Sequence, residues 1–224
     1  MGLIRSLFKS SVLAGGAGVG AFWYFTRDSK FVPLSPSDYL FQSSYYRKCN
    51  PDSNPAISDL CVKTVPLSKI KPHLLEKEGK LVEAFCASVY GGLGYAFQRA
   101  VLAHRYEGPR TAHQLWSTSQ LRNSSYPTGT QITDHFEVVE HTPTRIIVRC
   151  GDTPLNSGVR PMDGLFEISA TIKHDEGVAE FGLKSVLFQG LGKAENKPMP
   201  APIEFLHQQY AKLWMETALL RLTR

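Results

Sequence analysis

The sequence lacks the motifs by which catalytic and metal sites are usually recognised. Its four cysteines, Cys49, Cys61, Cys86 and Cys150, include no C-x-x-C pair and are too few for a disulfide framework. The seven histidines show no metal-ligand spacing, and no G-x-S-x-G nucleophile elbow occurs. We therefore predict no catalytic residues, no metal site and no cofactor, and we favour a binding protein over an enzyme. A disulfide between Cys49 and Cys61 stays open for an oxidising compartment.

The sequence also has little concentrated charge. The formal net charge is +5 and the isoelectric point about 9.0, but the Lys and Arg residues are scattered and form no basic run. Nucleic-acid-binding proteins usually carry a basic patch and a recognisable motif, so we predict no nucleic-acid partner. Hydrophobic residues make up 42% and charged residues 20% of the 224 positions, which is typical of a globular protein with a substantial core.

What the sequence does contain is an uncharged, apolar stretch close to its N-terminus, residues 11–25. Extended to residues 7–26, this stretch is interrupted only by Lys9 and reaches the length of about 20 residues that a helix needs to cross a bilayer. Three aromatic residues at positions 22–24 suit a membrane interface. We predict a single-pass transmembrane helix across residues 7–26, within an anchor or targeting segment of residues 1–30.

Other interpretations of this segment stay open. A cleaved signal peptide fits less well, because aromatic residues stand where its small-residue cleavage site belongs. A removable mitochondrial presequence is the stronger alternative, since Arg5 and Lys9 share a helical face and no acid precedes Asp28. The start of the chain also matches the short N-myristoylation pattern at Gly2. The positive residues on both flanks favour a mitochondrial membrane over the endoplasmic reticulum.

Small residues give the same segment a second property. Gly16 and Gly20 form a small-xxx-small pair, a spacing that favours close packing of helices in a membrane. A protein that uses this face would make its contacts with other membrane proteins. An assembly or scaffold protein of a mitochondrial membrane, without a small-molecule ligand, is therefore our alternative to a ligand-binding protein.

The rest of the chain divides into a connector and one domain. Residues 31–58 are rich in Pro, Ser, Asn and Tyr without a sustained period, and we predict an extended connector there. Residues 59–224 are predicted to form a single α+β domain, because strands and helices are segregated along the chain. The predicted helices are 72–89, 95–106 and 202–222, and the predicted strands are 60–66 (an edge strand), 131–140, 144–150, 165–173 and 178–189. We expect an antiparallel sheet wrapped around the long C-terminal helix.

Two resemblances agree with this arrangement. The element order over residues 60–222 is similar to the helix-grip fold of START-like and polyketide-cyclase-like lipid-binding domains. The segments GTQITDHFEVV (129–139), DGLFEI (163–168), FQGLGK (188–193) and LWMET (213–217) resemble a family of uncharacterised filamentous-fungal membrane-anchored proteins. The first resemblance implies a lipid-binding cavity. The second implies one coherent domain and no catalytic residues.

A ligand site is predicted from the apolar width of residues 202–222, which exceeds what a lone exposed helix can carry. We expect this helix to cover a cavity that holds a lipid or another hydrophobic molecule. The predicted ligand-binding residues are Asp134, Phe136, Ile168, Phe181, Leu183, Tyr210 and Trp214. Those from Ile168 onward fit a solid core equally well. Asp134 is predicted to share the inward face of its strand with Phe136, so a small hydrolase or isomerase acting on an apolar substrate is the second alternative.

One cross-strand contact is also predicted. If Lys173 faces Val178 in the hairpin of residues 165–189, the antiparallel register places Glu167 opposite Lys184. We expect this ion pair on the exposed outer face of the sheet, where it would contribute only about 0–1 kcal/mol.

Overall fold

An antiparallel sheet forms the centre of the computed structural model, which describes residues 18–224. Its seven strands follow the order β1-β2-β7-β6-β5-β4-β3, and every neighbouring pair is antiparallel. The strands are β1 (Lys30–Val32), β2 (Ala56–Pro66), β3 (Gln131–Ile132), β4 (Phe136–His141), β5 (Arg145–Cys150), β6 (Asp163–Lys173) and β7 (Val178–Phe188). The predicted α+β class with an antiparallel sheet is confirmed.

Helices precede the sheet's main hairpins and follow its last strand. They are α1 (Tyr39–Gln42), α2 (Ser44–Cys49), α3 (Lys80–Tyr90), α4 (Leu93–Tyr106), α5 (Thr118–Asn123) and α6 (Ala201–Leu222). The long C-terminal helix was predicted within one residue of its start. Pro202 stands in the first turn of α6, where its missing amide hydrogen leaves no intrahelical bond unmade.

The main core lies on one face of the sheet, under α3 and α6. Alternate residues of the central strands point to this face, including Ile168 of β6 and Phe181 of β7. Phe85 of α3 packs edge-on against Phe181, with 4.9 Å between the ring centroids. Apolar residues therefore alternate between the two faces along β6 and β7, and α6 faces the sheet with Trp214, Met215 and Ala218.

The opposite face of the sheet is covered by the connector, where we had expected solvent. Leu40 of α1 and Cys49 of α2 are buried against a second apolar cluster that contains Phe188 of β7. Glu167 and Lys184 do face each other in the predicted register. However, only 5% and 8% of their surfaces are exposed, so the expectation of an exposed pair is wrong.

Three predicted elements differ from the observed ones. The strand predicted at 131–140 is broken between β3 and β4, because Thr133 and Asp134 adopt left-handed backbone angles, with φ values of 49° and 53°. The strand predicted at the edge is β2, which lies between β1 and β7. The helix predicted from Pro72 begins as a single 3-10 turn, Pro72–Leu74, and the α-helix starts at Lys80.

Most of the predicted membrane segment lies outside the described residues. Residues 18–25 are helical, and the side chains of Trp23 and Tyr24 are 46% and 70% exposed. Among residues 18–224, none of the helices combines the length and the apolarity needed to cross a bilayer. Gly16 also falls outside the described residues. A methyl group added at Gly20 would meet no described atom within 4 Å, so the predicted packing face is open on that side.

Candidate functional site

A cavity of about 250 Å³ lies between the sheet and α6. Its floor comes from the four neighbouring strands β4 to β7 and its roof from α6, while Gln98 of α4 closes one side. Two half-buried methionines, Met162 and Met199, border it from the loops that follow β5 and β7. The lining residues are Gln98, His135, Phe136, Cys150, Gly151, Met162, Phe166, Ser185, Leu187, Met199, His207, Tyr210, Ala211 and Trp214. Most of these side chains are apolar or aromatic.

Four of the lining residues come from one stripe of α6. His207, Tyr210, Ala211 and Trp214 are spaced at i, i+3, i+4 and i+7, so they share one side of the helix. Trp214 sits at the centre of an aromatic cluster, and its ring centroid is 5.2 Å from that of Tyr210 and 5.7 Å from that of Phe166. These contacts fix the orientation of the indole, and therefore the shape of the cavity roof.

A polar cluster of three side chains lies at one end of the cavity. Ser185 Oγ donates to Asp59 Oδ1 at 2.9 Å, and His207 Nε2 lies 3.2 Å from the same Ser185 oxygen. His207 Nε2 is also 3.4 Å from Asp59 Oδ2. The cluster forms because β2 and β7 pair in a register that places Asp59 directly beside Ser185, and α6 crosses above them.

Burial raises the pKa of Asp59, while the adjacent His207 and the hydrogen bond from Ser185 pull that pKa down. The carboxylate is 9% exposed. An ionised group at this depth needs charge compensation or hydrogen bonds. Here Oδ1 accepts from Ser185 and Oδ2 lies 3.4 Å from the imidazole nitrogen Nε2, so the carboxylate has a hydrogen bond and a nearby base.

Two further polar groups among the lining residues have no hydrogen-bond partner in the described part of the chain. They are the hydroxyl of Tyr210 and the indole N–H of Trp214, both of which are buried. Burial raises the pKa of Tyr210 and the nearby Trp214 N–H lowers it, although the two groups do not meet in hydrogen-bond geometry. A buried donor without a partner is costly, so an acceptor supplied by a ligand would stabilise this end of the site.

His135 is a further polar lining residue, and its environment is different. It follows the left-handed turn at Thr133 and Asp134, and its ring packs edge-on against Phe136 with 4.8 Å between centroids. Burial lowers the pKa of His135, and the positive charge of Arg160 lowers it further. Both effects favour the neutral form of the imidazole.

The loop that carries Met162 is held by a buried ion pair. Arg149 Nε donates to Asp163 Oδ1 at 2.9 Å, and Arg149 Nη2 also donates to the carbonyl oxygen of Gly158 at 2.6 Å. Arg160, which is fully buried, donates to the carbonyl oxygens of Asn156 and Asp152. These bonds tie the loop to the end of β5, so this border of the cavity has a defined position.

The structure brings only part of the predicted ligand-binding set to the cavity. Phe136, Tyr210 and Trp214 line it. Ile168, Phe181 and Leu183 lie deeper, in the packed core, with no exposed surface. Asp134 points elsewhere: its Oδ1 accepts from Thr153 Oγ1 at 2.6 Å and from Gln114 Nε2 at 3.0 Å. It stabilises the turn and the following loop.

His135, Ser185 and His207, which also line the cavity, were missed by the sequence-based prediction. The break at Thr133 moves His135 to the cavity side, whereas an unbroken strand would have turned it away. Asp59 and Ser185 are 126 residues apart in sequence, and only the pairing of β2 with β7 places them side by side. That register was not derivable from the hairpin pattern, because β2 and β7 are not consecutive strands.

Metal-ligating side chains are not gathered at the cavity. Within residues 18–224 no group of three or more His, Cys, Asp or Glu side chains is placed to hold a metal ion. Neither a scan of protein-family models nor a search of curated protein sequences gives a match to this chain.

Proposed function

We propose that this protein is a membrane-anchored binding protein that holds a small hydrophobic molecule between its sheet and α6. The observation that carries the proposal is the cavity itself, with its aromatic lining and with two unpartnered donors on Tyr210 and Trp214. Solid cores are packed without such space, and an apolar pocket with a few convergent polar groups is the usual form of a ligand site.

The size of the cavity narrows the class of ligand. Its volume of about 250 Å³ is just below the range of roughly 300 to 1,000 Å³ that ligand pockets usually span. An engineered apolar cavity of about 150 Å³ accepts benzene. An aromatic ring with a short substituent, or a short-chain lipid fragment, therefore suits this cavity better than a phospholipid with two acyl chains. The donors favour a molecule with one hydrogen-bond acceptor.

The element order supports the same function by analogy. Strand β2, the helical segment, the strands β3 to β7 and the helix α6 follow one another as in the helix-grip domains of START-like and polyketide-cyclase-like proteins. Those domains enclose their ligands between the sheet and the last helix. We propose a helix-grip-like arrangement for this chain, and membership in the family of membrane-anchored filamentous-fungal proteins, on this resemblance and on the quoted sequence segments.

Exposed apolar side chains support the membrane part of the proposal. Leu93 and Phe97 of α4 are 78% and 79% exposed, and Leu206 of α6 is 59% exposed. They belong to the two helices that contribute Gln98 and His207 to the cavity. The described end of the apolar segment, residues 18–26, lies beside α6, where Lys212 Nζ is 5.7 Å from the Trp23 ring. A bilayer, which we propose to be mitochondrial, would cover these side chains.

Binding can be tested on the full chain extracted in lipid nanodiscs. Native mass spectrometry should show an added mass of a small molecule, and saturation-transfer NMR should show contact with an added aromatic ketone such as acetophenone. Ala211→Leu places a larger side chain in the cavity and should abolish both signals. Ala201→Leu makes the same change at an exposed position of the same helix and should leave them intact.

Other results of these experiments would contradict the binding proposal or support a scaffold function. A protein that carries no small molecule, and whose NMR signals with added ketones do not respond to Ala211→Leu, contradicts the binding proposal. If the same preparation holds a stable protein partner that is lost when Gly16 and Gly20 are replaced by Leu, the assembly or scaffold function is supported in its place.

A further inference from the structure

His207 is held in a way that leaves one ring nitrogen unused. The carboxylate of Asp59 can only accept, so the Ser185 hydroxyl hydrogen is directed to Asp59 Oδ1 at 2.9 Å. The Ser185 oxygen then accepts from His207 Nε2, which must carry a hydrogen, and Asp59 Oδ2 lies 3.4 Å from the same nitrogen. In the neutral imidazole this leaves Nδ1 as a free base, and Nδ1 has no hydrogen-bond partner within residues 18–224.

This proton arrangement excludes Ser185 as a nucleophile. A serine nucleophile must donate its hydrogen to the imidazole base. If Ser185 did so, its oxygen would face Asp59 Oδ1 at 2.9 Å with no hydrogen between the two atoms. That contact is repulsive, whereas the arrangement above gives the Ser185 hydroxyl and the Nε2 hydrogen an acceptor each. Asp59 and Ser185 are therefore positioning residues, and the group they position is the His207 imidazole.

The same stripe of α6 carries hydrogen-bond donors next to this base. Tyr210 is one turn beyond His207, a displacement of about 4.5 Å along the helix axis, and Trp214 follows one turn later. Both side chains line the cavity and both have an unpartnered buried donor. Donors of this kind stabilise negative charge that develops on a carbonyl oxygen. Burial raises the pKa of Tyr210, so its hydroxyl keeps its hydrogen at neutral pH.

We propose that the cavity is a proton-transfer site, in which His207 removes a proton from the carbon next to the carbonyl group of a small apolar ketone or aldehyde. This proposal rests on the proposed binding function, because the ketone or aldehyde must bind in the cavity beside His207. The C–H bond breaks, its electron pair moves through the new C=C bond to the carbonyl oxygen, and an N–H bond forms at His207 Nδ1. Asp59 stabilises the resulting imidazolium, while the Tyr210 hydroxyl, which has almost no accessible surface in the structure, turns to donate to the enolate oxygen.

The cycle closes without a further reactant. The imidazolium returns its proton to the same carbon, or to a carbon further along a conjugated chain, and the carbonyl group is restored. Return to the same carbon exchanges its hydrogen with solvent, and return to another carbon moves the double bond. The reaction class is therefore an enolisation or a double-bond isomerisation.

Hydrogen exchange in D2O tests this step with a defined probe. Acetophenone is added to the full chain in nanodiscs at neutral pH, and ¹H NMR follows the loss of its methyl signal while saturation transfer reports binding in the same tube. Wild type should exchange the methyl hydrogens at least about 10²-fold faster than His207→Gln, the lower end of the usual contribution of a general base. Asp59→Asn should lower the maximal exchange rate and leave the concentration for half saturation unchanged, since Asp59 does not touch the ligand.

The controls separate this proposal from the binding function. His174→Gln changes an exposed histidine in the β6–β7 turn and should exchange like wild type. Thermal unfolding of each variant shows whether it is folded, and Asp59→Asn replaces His207→Gln as the deciding variant if the latter unfolds. If acetophenone binds but its hydrogen exchange does not depend on His207, the proton-transfer proposal is overturned and the proposed binding function remains. Absence of binding by acetophenone, cyclohexanone and 2-nonanone alike overturns both.

Discussion

Asp38 of the connector and Lys184 of β7 form an ion pair with 2.9 Å between Oδ2 and Nζ. The same ammonium group lies 2.9 Å from Glu167 Oε1 on the neighbouring strand. Asp38 also caps α1, because its side chain accepts from the amide of Leu40. A single lysine therefore connects the central hairpin of the sheet with the segment that covers its outer face.

Replacing Lys184 by Ala should destabilise the fold strongly. The change leaves two carboxylates, one of them 5% exposed, without their cation, and breaking a buried pair in this way costs about 3–5 kcal/mol. Lys173→Ala is the matched control, since Lys173 pairs with Glu180 across the same two strands at 2.8 Å near the solvent-exposed turn. Urea unfolding should show a much lower midpoint for Lys184→Ala and an unchanged one for Lys173→Ala. Equal midpoints for both variants would show that the buried network contributes nothing.

Local pattern was sufficient to predict the β6–β7 hairpin and α6. In the hairpin, alternation of apolar residues and a short polar turn determine the register, so Lys173 opposite Val178 also places Glu167 opposite Lys184. In α6, the helical spacing from Ile203 to Leu220 identified the helix but not its buried face, because Ile203, Leu206 and Leu220 are 48%, 59% and 61% exposed. Each of these features depends on residues that are close together in the sequence.

Features that depend on distant segments were predicted less well. The connector was expected to be extended, yet it contains α1 and α2, because Leu40 and Cys49 find a partner cluster on the sheet that the sequence pattern does not reveal. The polar end of the cavity likewise needs Asp59, Ser185 and His207 from three separate elements. A left-handed angle is rare for a β-branched residue such as Thr133, and the turn that it forms with Asp134 brings His135 to the cavity.

The four cysteines should resist alkylation in the native protein. All four are free and buried, and burial raises the pKa of Cys61 and of Cys150 to about 12. Cys49 and Cys61 belong to the clusters on opposite faces of the sheet, so the disulfide left open from the sequence is not formed. Because alkylation needs the thiolate, iodoacetamide at pH 8 should add no label within minutes and four labels in denaturant. Rapid native labelling of any one cysteine, read by mass spectrometry, would contradict this burial.

The stability of the protein should fall on mild acidification through His135. Its folded-state pKa lies below the unfolded value of about 6.5, chiefly because of burial. The unfolded chain therefore binds a proton more readily than the folded chain as the pH falls below 6.5. The contribution of His135 to the free energy of unfolding is therefore fully present above pH 6.5. It is lost as the pH falls from 6.5 toward the lower pKa of His135 in the folded protein.

The measurement compares wild type with His135→Gln by urea unfolding at pH 7.5 and pH 5.5. The loss of unfolding free energy between the two pH values should be smaller in the variant, because the titrating group is gone. His174→Gln removes an exposed histidine and should keep the full wild-type loss. Contributions from Asp59, whose raised pKa acts in the opposite direction, are common to all three proteins and cancel in the comparison.

Gly94 should be required for the contact between α4 and α6. Its amide donates to Thr217 Oγ1 at 3.1 Å. A methyl group built at Gly94 would lie 2.6 Å from that oxygen and 3.0 Å from Trp214 Cα, which is too close for either atom. Gly94→Ala therefore forces the two helices apart, and overpacking of this kind costs about 1–3 kcal/mol.

The same displacement should reach the ligand site, because Trp214 forms part of the cavity roof. We expect Gly94→Ala to lower the unfolding midpoint and to weaken binding of acetophenone together, as measured by urea unfolding and saturation-transfer NMR. Gly108→Ala is the control, since a methyl group there meets no atom within 4 Å. A Gly94 variant with lower stability and unchanged binding would show that the cavity does not depend on the α4–α6 contact. In that case the aromatic packing of Trp214 against Phe166 and Tyr210 is sufficient to hold the cavity roof.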